Sequence, residues 1–267
     1  MAEKQKFTIK DILIVFVLAG LLAVGLQFAL SYIPYFANME IEDISGINFT
    51  ILYLLQTIVL ALPVGIVVLI RKNIRLNDFG FENFNIKSIL KFAFLGYAYY
   101  LVIMMIISLA SAYMKLKVPG FEAQESHIPL IGDNSIGSIL TIAIITLFAP
   151  IIEEVIFRGF IFKTMMAKWH KWLAFVMSAL VFATIHMEFQ SILPLFILGL
   201  ILNWMFFRTK SIYPGIFFHI VNNGIALGAE YYLFLHPEIM KEVQGFIHFI
   251  FGLDKRNNIR KIGVADG

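Results

Sequence analysis

Seven polar side chains stand inside otherwise apolar stretches of this 267-residue chain. Glu153, Glu154 and Arg158 lie in the run that starts Ala149-Pro150. His186 ends the run that starts at Phe182. His219, Asn222 and Asn223 lie between Gly215 and Gly224. Glu154 and Arg158 are i and i+4, so on a helix they share a face and pair. Glu153 points about 100° away and has no local partner. An isolated carboxylate of this kind suits a base that takes and returns a proton. His219 and Asn223 are also i and i+4, which puts an imidazole and an amide on one face. His186 comes from a separate helix. A Glu, two His and an Asn converging from three helices can bind and activate a water.

Such groups have to be held by helices in a bilayer. Hydrophobic residues make up 60% of the chain, charged residues 15%, and the mean hydropathy is +0.83. Soluble domains carry about 45–50% apolar and about 25% charged residues, so a soluble globular protein is excluded. Seven runs have roughly spanning length. They are Ile12–Ile33, Phe49–Ile70, about Ile89–Tyr113, a run from near Ile136 past Phe157, Trp172–Met187, Ile192–Phe207 and Ile212–Leu235. An eighth, weaker run near Val243–Leu253 has roughly 11 residues, short for a span. The first run follows Lys4, Lys6 and Lys10, as a signal peptide would. Its apolar part is about 22 residues, longer than the 7–15 of a signal core, and it reads as a retained helix.

Lys and Arg alternate with loop number. The N-terminus, the loop of Arg71, Lys72, Arg75 and Lys87, the loop of Lys163, Lys168 and Lys171, the loop of Arg208 and Lys210, and the tail of Lys255, Arg256, Arg260 and Lys261 are basic. The first loop has Glu40, Glu42 and Asp43 instead. Eight spans with both termini in the cytoplasm fit this pattern. The expectation is an all-α membrane protein, a polytopic bundle of about eight transmembrane helices. Its N-terminal helices and loops occupy 1–130, its polar-bearing helices 131–253 and a basic cytoplasmic tail 254–267. The net charge of +3 forms no basic stripe with interleaved aromatics, so no nucleic-acid partner is expected. On these bounds His186 lies about 21 Å along the fifth span and Glu153 about 25 Å along the fourth, from opposite sides. Tilt, a break at Pro150 or other bounds must bring them level.

A single intramembrane His or Asn is commonly an interhelical hydrogen-bonding group. Asn203 and Asn222 read that way. Glu188 and Gln190 read as a solvated loop. His127, His170, His236 and His248 read as surface residues, and Trp169, Trp172 and Tyr213 as an interfacial belt. The set on the fourth, fifth and seventh spans is different, because three helices would each carry an unexplained polar residue. The chain has no cysteine, which removes disulfides, thiol nucleophiles and Cys–zinc sites. No Gly-x-Ser-x-Gly elbow lies on a span. Asp11, Asp43, Asp78, Asp133, Asp254 and Asp266 lie in loops, tails or at a membrane boundary, so no pair of intramembrane Asp residues exists.

The pattern E-E-x-x-x-R at Glu153, Glu154 and Arg158, F-x-x-x-H at Phe182 and His186, and H-x-x-x-N at His219 and Asn223 occur in order on successive polar-bearing spans. Together they resemble the Abi or CPBP family, relatives of the CAAX prenyl endopeptidases. Phe157 and Gly159 match the common bacterial form of the first motif. The resemblance covers about residues 135–230 and implies an eight-helix intramembrane protease. It implies Glu153 as the general base, His186 as a holder of the water, and His219 with Asn223 as stabilisers of the oxyanion. It implies that Glu154 and Arg158 organise the site. A metal-free, glutamic-type site is expected, with no cofactor. The alternative is a zinc ion on Glu153, His186 and His219, although H-E-x-x-H spacing is missing. The expected partners are the bilayer and a membrane-associated, hydrophobic or lipidated peptide or protein substrate. The expected location is multi-pass in a membrane, the plasma membrane for a prokaryotic host. A non-catalytic binding or immunity-type protein on the same fold is the alternative function. A proton-coupled transporter is a third reading, and the inverted repeats it predicts are missing.

Overall fold

The computed structural model describes residues 6–40, 43–71, 73–82, 85–114, 119, 131, 135–236 and 238–239. Among these residues there is no strand. Seven long helices lie among the described residues: α1 (Ile9–Ser31), α2 (Gly46–Arg71), α3 (Ile86–Met114), α4 (Ile136–Lys168), α5 (Lys171–Ile185), α6 (Ile192–Thr209) and α7 (Tyr213–Leu235). Each expected run is a helix with ends within a few residues of those read from sequence. The eighth run, the basic tail, His127 and His248 lie outside the described residues.

Five of the helices, α1 to α4 and α6, are long and apolar enough to cross a membrane. The other two fall short of that measure for different reasons. Helix α5 is apolar but has only 15 residues. Helix α7 has 23 residues, and its polar His219, Asn222 and Asn223 dilute its hydropathy.

Helix α1 starts with a capping box. The Thr8 backbone N–H donates to Asp11 Oδ2 at 2.7 Å, and the Asp11 N–H donates to Thr8 Oγ1 at 3.4 Å. The same carboxylate receives Arg71 from the end of α2 at 2.7 Å, which ties the two helices together. Lys6 Nζ reaches Asp78 Oδ2 at 2.8 Å, and Lys163 Nζ of α4 donates to the Asp78 carbonyl at 2.9 Å. Three of the basic segments therefore meet at one end of the bundle. There Phe7 is buried between Phe79 and Phe160, at ring separations of 5.2 and 5.0 Å.

Close packing of backbones sets the inner bundle. In lipid the hydrophobic drive between helices fades, and small residues that let helices approach take over. A Cβ on Gly199 of α6 would stand 3.1 Å from Ala179 Cα of α5. A Cβ on Gly159 of α4 would stand 2.6 Å from the Phe79 carbonyl of the turn Leu76–Phe79. Asn203 of α6 is fully buried and donates to the Phe175 carbonyl of α5 at 3.0 Å, the interhelical role expected of it.

Helix α4 is not regular. It runs Ser135–Ala143, then wide π-helical turns over Ile144–Phe148, then Ala149–Glu153, then π-helical turns again over Glu154–Phe162, and ends at Lys163–Lys168. Such insertions recur at functional sites. Here one lies on each side of Pro150 and Glu153.

Candidate active site

Helix α4 turns both neighbouring carboxylates towards the bundle interior, where α5 and α7 supply their partners. Glu154 is 0% exposed and Arg158 1%, and their ion pair measures 2.8 Å. The i,i+4 pairing read from sequence is present. The guanidinium also lies 4.3 Å over the Phe182 ring, with Nη2 3.4 Å from the Gly199 carbonyl. His219 Nδ1 stands 3.2 Å from Glu154 Oε1, so that carboxylate oxygen is shared between Arg158 and His219. Its other oxygen faces the backbone of Gly215, where a Cβ would come within 2.7 Å.

Glu153 has partners after all, from two other helices. Its Oε2 lies 3.6 Å from His186 Nε2 and 3.9 Å from His219 Nε2. These separations exceed hydrogen-bond length, and Glu153 Oε2 is a buried oxygen with no hydrogen-bond donor. Each imidazole is fixed from behind. His186 caps the C-terminus of α5, and its Nδ1–H donates to the Phe182 carbonyl at 2.7 Å, one of the carbonyls a helix end leaves over. His219 Nδ1 faces Glu154. The Phe182 carbonyl keeps the His186 proton on Nδ1, so a neutral His186 turns an Nε2 lone pair towards Glu153. Phe182 is the common support, with ring centroids 4.6 Å from His186 and 5.9 Å from His219.

Asn223 is placed differently. It follows His219 by one turn on α7, and its Nδ2 donates to the Ile145 carbonyl of α4 at 3.1 Å. The structure thus joins Glu153, Glu154, Arg158, His186 and His219 in one cluster and ties Asn223 to α4 two turns before Glu153. Sequence reasoning missed Gly215 of α7, whose backbone lies against Glu154. No motif marked it, since it owes its place to helix packing.

Glu153, His186 and His219 are the residues that would hold a zinc ion. They stand near one another, but among the described residues no three such side chains form a metal-ligating group. What the cluster offers is a carboxylate oxygen and two imidazole nitrogens around one small volume, with an ion pair behind them. That is a setting for proton transfer to and from a bound water.

Residues 135–225 match the family described as Type II CAAX prenyl endopeptidase Rce1-like. The chain is 31% identical over 84 residues to "Putative membrane peptidase YdiL" of Bacillus subtilis (strain 168). That match covers 32% of this chain and 34% of the relative, so it spans about a third of that protein's length. It is 26% identical over 174 residues to "Membrane-embedded CAAX protease MroQ" of Staphylococcus aureus (strain USA300), covering 62% of this chain and 68% of the relative. No solved structure matches.

Proposed function

We propose that this integral membrane protein, whose residues 135–225 match the type II CAAX prenyl endopeptidase Rce1-like family, is an intramembrane endopeptidase of glutamic type. The observation that carries the proposal is the convergence of Glu153 Oε2 with the Nε2 atoms of His186 and His219, at 3.6 and 3.9 Å.

A water held between Glu153 and His186 attacks the carbonyl carbon of the scissile peptide bond. Glu153 takes its proton, the carbon–oxygen bond forms, and negative charge gathers on the former carbonyl oxygen. His219, with Nδ1–H on Glu154 and a second proton on Nε2, and the second amide N–H of Asn223 stabilise that oxyanion. Donors of this kind are worth several kcal/mol where water is scarce. Glu153 then returns the proton to the departing nitrogen, the carbon–nitrogen bond breaks, and acid and amine are released. The buried pair Glu154–Arg158 holds His219 in place from behind. The substrate is a hydrophobic or lipidated peptide segment presented from the bilayer, because the groups that act lie among apolar helices.

The test compares purified wild type with Glu153→Gln on membrane-embedded peptides, reading new peptide termini. We expect loss of at least about 10²-fold in rate with folding retained. Unchanged termini would remove the proposal and favour a binding protein on the same fold. A chelator arm tests the metal-free mechanism, which predicts an unchanged rate. Loss restored by zinc would move the chemistry to a metal on the same three residues.

A further inference from the structure

We propose that the Asn223 side-chain amide stands in for a missing backbone donor of helix α4, and is through it a positioning residue for Glu153. The inference goes beyond the oxyanion role proposed above, and its first readout does not depend on that role.

The argument is a hydrogen-bond account of one carbonyl. The Ile145 C=O has two candidate donors within its own helix. The donor of a regular α-turn is the Ala149 N–H, but that group bonds Ile144 O in the π-helical turn. The donor of a continued π-turn is residue 150. That residue is proline, which has no N–H. Ile145 O is therefore left without a donor by a wide turn and a proline acting together. An unpaired backbone carbonyl at membrane depth is costly. Asn223 Nδ2 from α7 fills the place at 3.1 Å.

This contact also sets register. Helix α7 grips α4 at two points, one turn apart on α7 and more than two turns apart on α4, through His219 to Glu154 at 3.2 Å and through Asn223 to Ile145. Two grips fix the sliding of α7 along α4, and that sliding sets the distance between His219 Nε2 and Glu153 Oε2. Pro150 opens the place that the second grip fills.

The test is a double-mutant cycle on the full chain in detergent or nanodiscs, with Asn223→Ala, Pro150→Ala and both. Thermal unfolding is the first readout, and cleavage of a membrane peptide the second. Pro150→Ala restores a backbone N–H that reaches Ile145 O. Asn223→Ala should lower the midpoint by roughly 2–4 °C in the wild-type background and by less than half as much beside Pro150→Ala. Its kcat should fall with KM unchanged, and recover in part in the double variant. Additive midpoint losses would overturn the inference whatever the activity does. Coupled midpoints with a kcat still lost in the double variant would overturn the positioning role and leave only the oxyanion role. If no form cleaves peptide, the midpoint coupling still decides the clamp, and the failure belongs to the proposed function.

Discussion

Glu153 and Glu154 are adjacent in sequence and opposite in circumstance. Glu154 is fully enclosed, with one oxygen shared by Arg158 and His219 and the other, which has no donor, against the Gly215 backbone, whereas Glu153 is partly exposed and turns its own donorless oxygen towards two imidazoles. Their substitutions should therefore differ in kind. Glu153→Gln leaves a folded, inactive protein. Arg158→Leu strips a buried carboxylate of its strongest partner, and breaking such a pair costs about 3–5 kcal/mol. It should lower the folded yield in detergent, read by size-exclusion profile, before activity is assayed. Phe182→Ala removes the ring beneath Arg158 and beside both imidazoles. A buried Phe→Ala change costs about 3–5 kcal/mol, and both histidines lose their support. Phe182→Leu should recover much of the stability and little of the rate, because aliphatic volume fills the space without a flat face for the guanidinium.

At the scale of elements, the α4–α5 hairpin explains why distant motifs meet. Glu153 lies fifteen residues before Lys168, where α4 ends, and His186 fifteen residues after Lys171, where α5 begins. At 1.5 Å per residue His186 stands about 22 Å from the shared turn, and Glu153, the same number of residues from it along wider turns, stands close to that depth. The depth mismatch read from sequence came from measuring Glu153 from the far end of a helix that is 33 residues long. The motifs, the helix order and the Glu154–Arg158 pair were legible because spacing on one helix fixes them. The π-helical turns, the Gly215 approach and the Asn223–Ile145 bond were not, because they depend on how α7 packs across α4. Gly159→Ala tests this packing, since its Cβ would sit 2.6 Å from a backbone carbonyl that cannot swing away. We expect a loss of about 1–3 kcal/mol, measured by thermal unfolding. The turn it supports also has a pH signature. Burial raises the Asp78 carboxyl, but hydrogen bonds from Lys6 and the Arg75 backbone, with the charges of Lys6 and Lys163, outweigh it and hold the group below its ordinary 3.8. A carboxylate lowered in the folded state contributes stability above its unfolded value and loses it as pH falls through the folded one. Asp78→Asn should therefore unfold at lower temperature than wild type at pH 7. The gap should close only on acidification below about 3.8.

For the whole molecule, the joined basic segments at one end of the bundle suit a cytoplasmic face. The chain has no cysteine, so single-cysteine variants label without background. Asn38→Cys should react with an impermeant maleimide in intact cells, and Arg208→Cys only after the membrane is opened. The reverse pattern would invert the proposed orientation.

Helix α7 carries a further consequence. The residues that make it useful, His219 and the two asparagines, are also those that leave it outside the five helices apolar enough to cross by composition. It is poorly equipped to enter lipid alone, and α4, which precedes it from the ribosome, presents Glu154 and the open Ile145 carbonyl as its landing points. Insertion of the last described helix is then a templated event during synthesis. A lesion at the Glu154–His219 contact, unlike one at Glu153, would surface first as a chain that quality control removes, before any substrate is met.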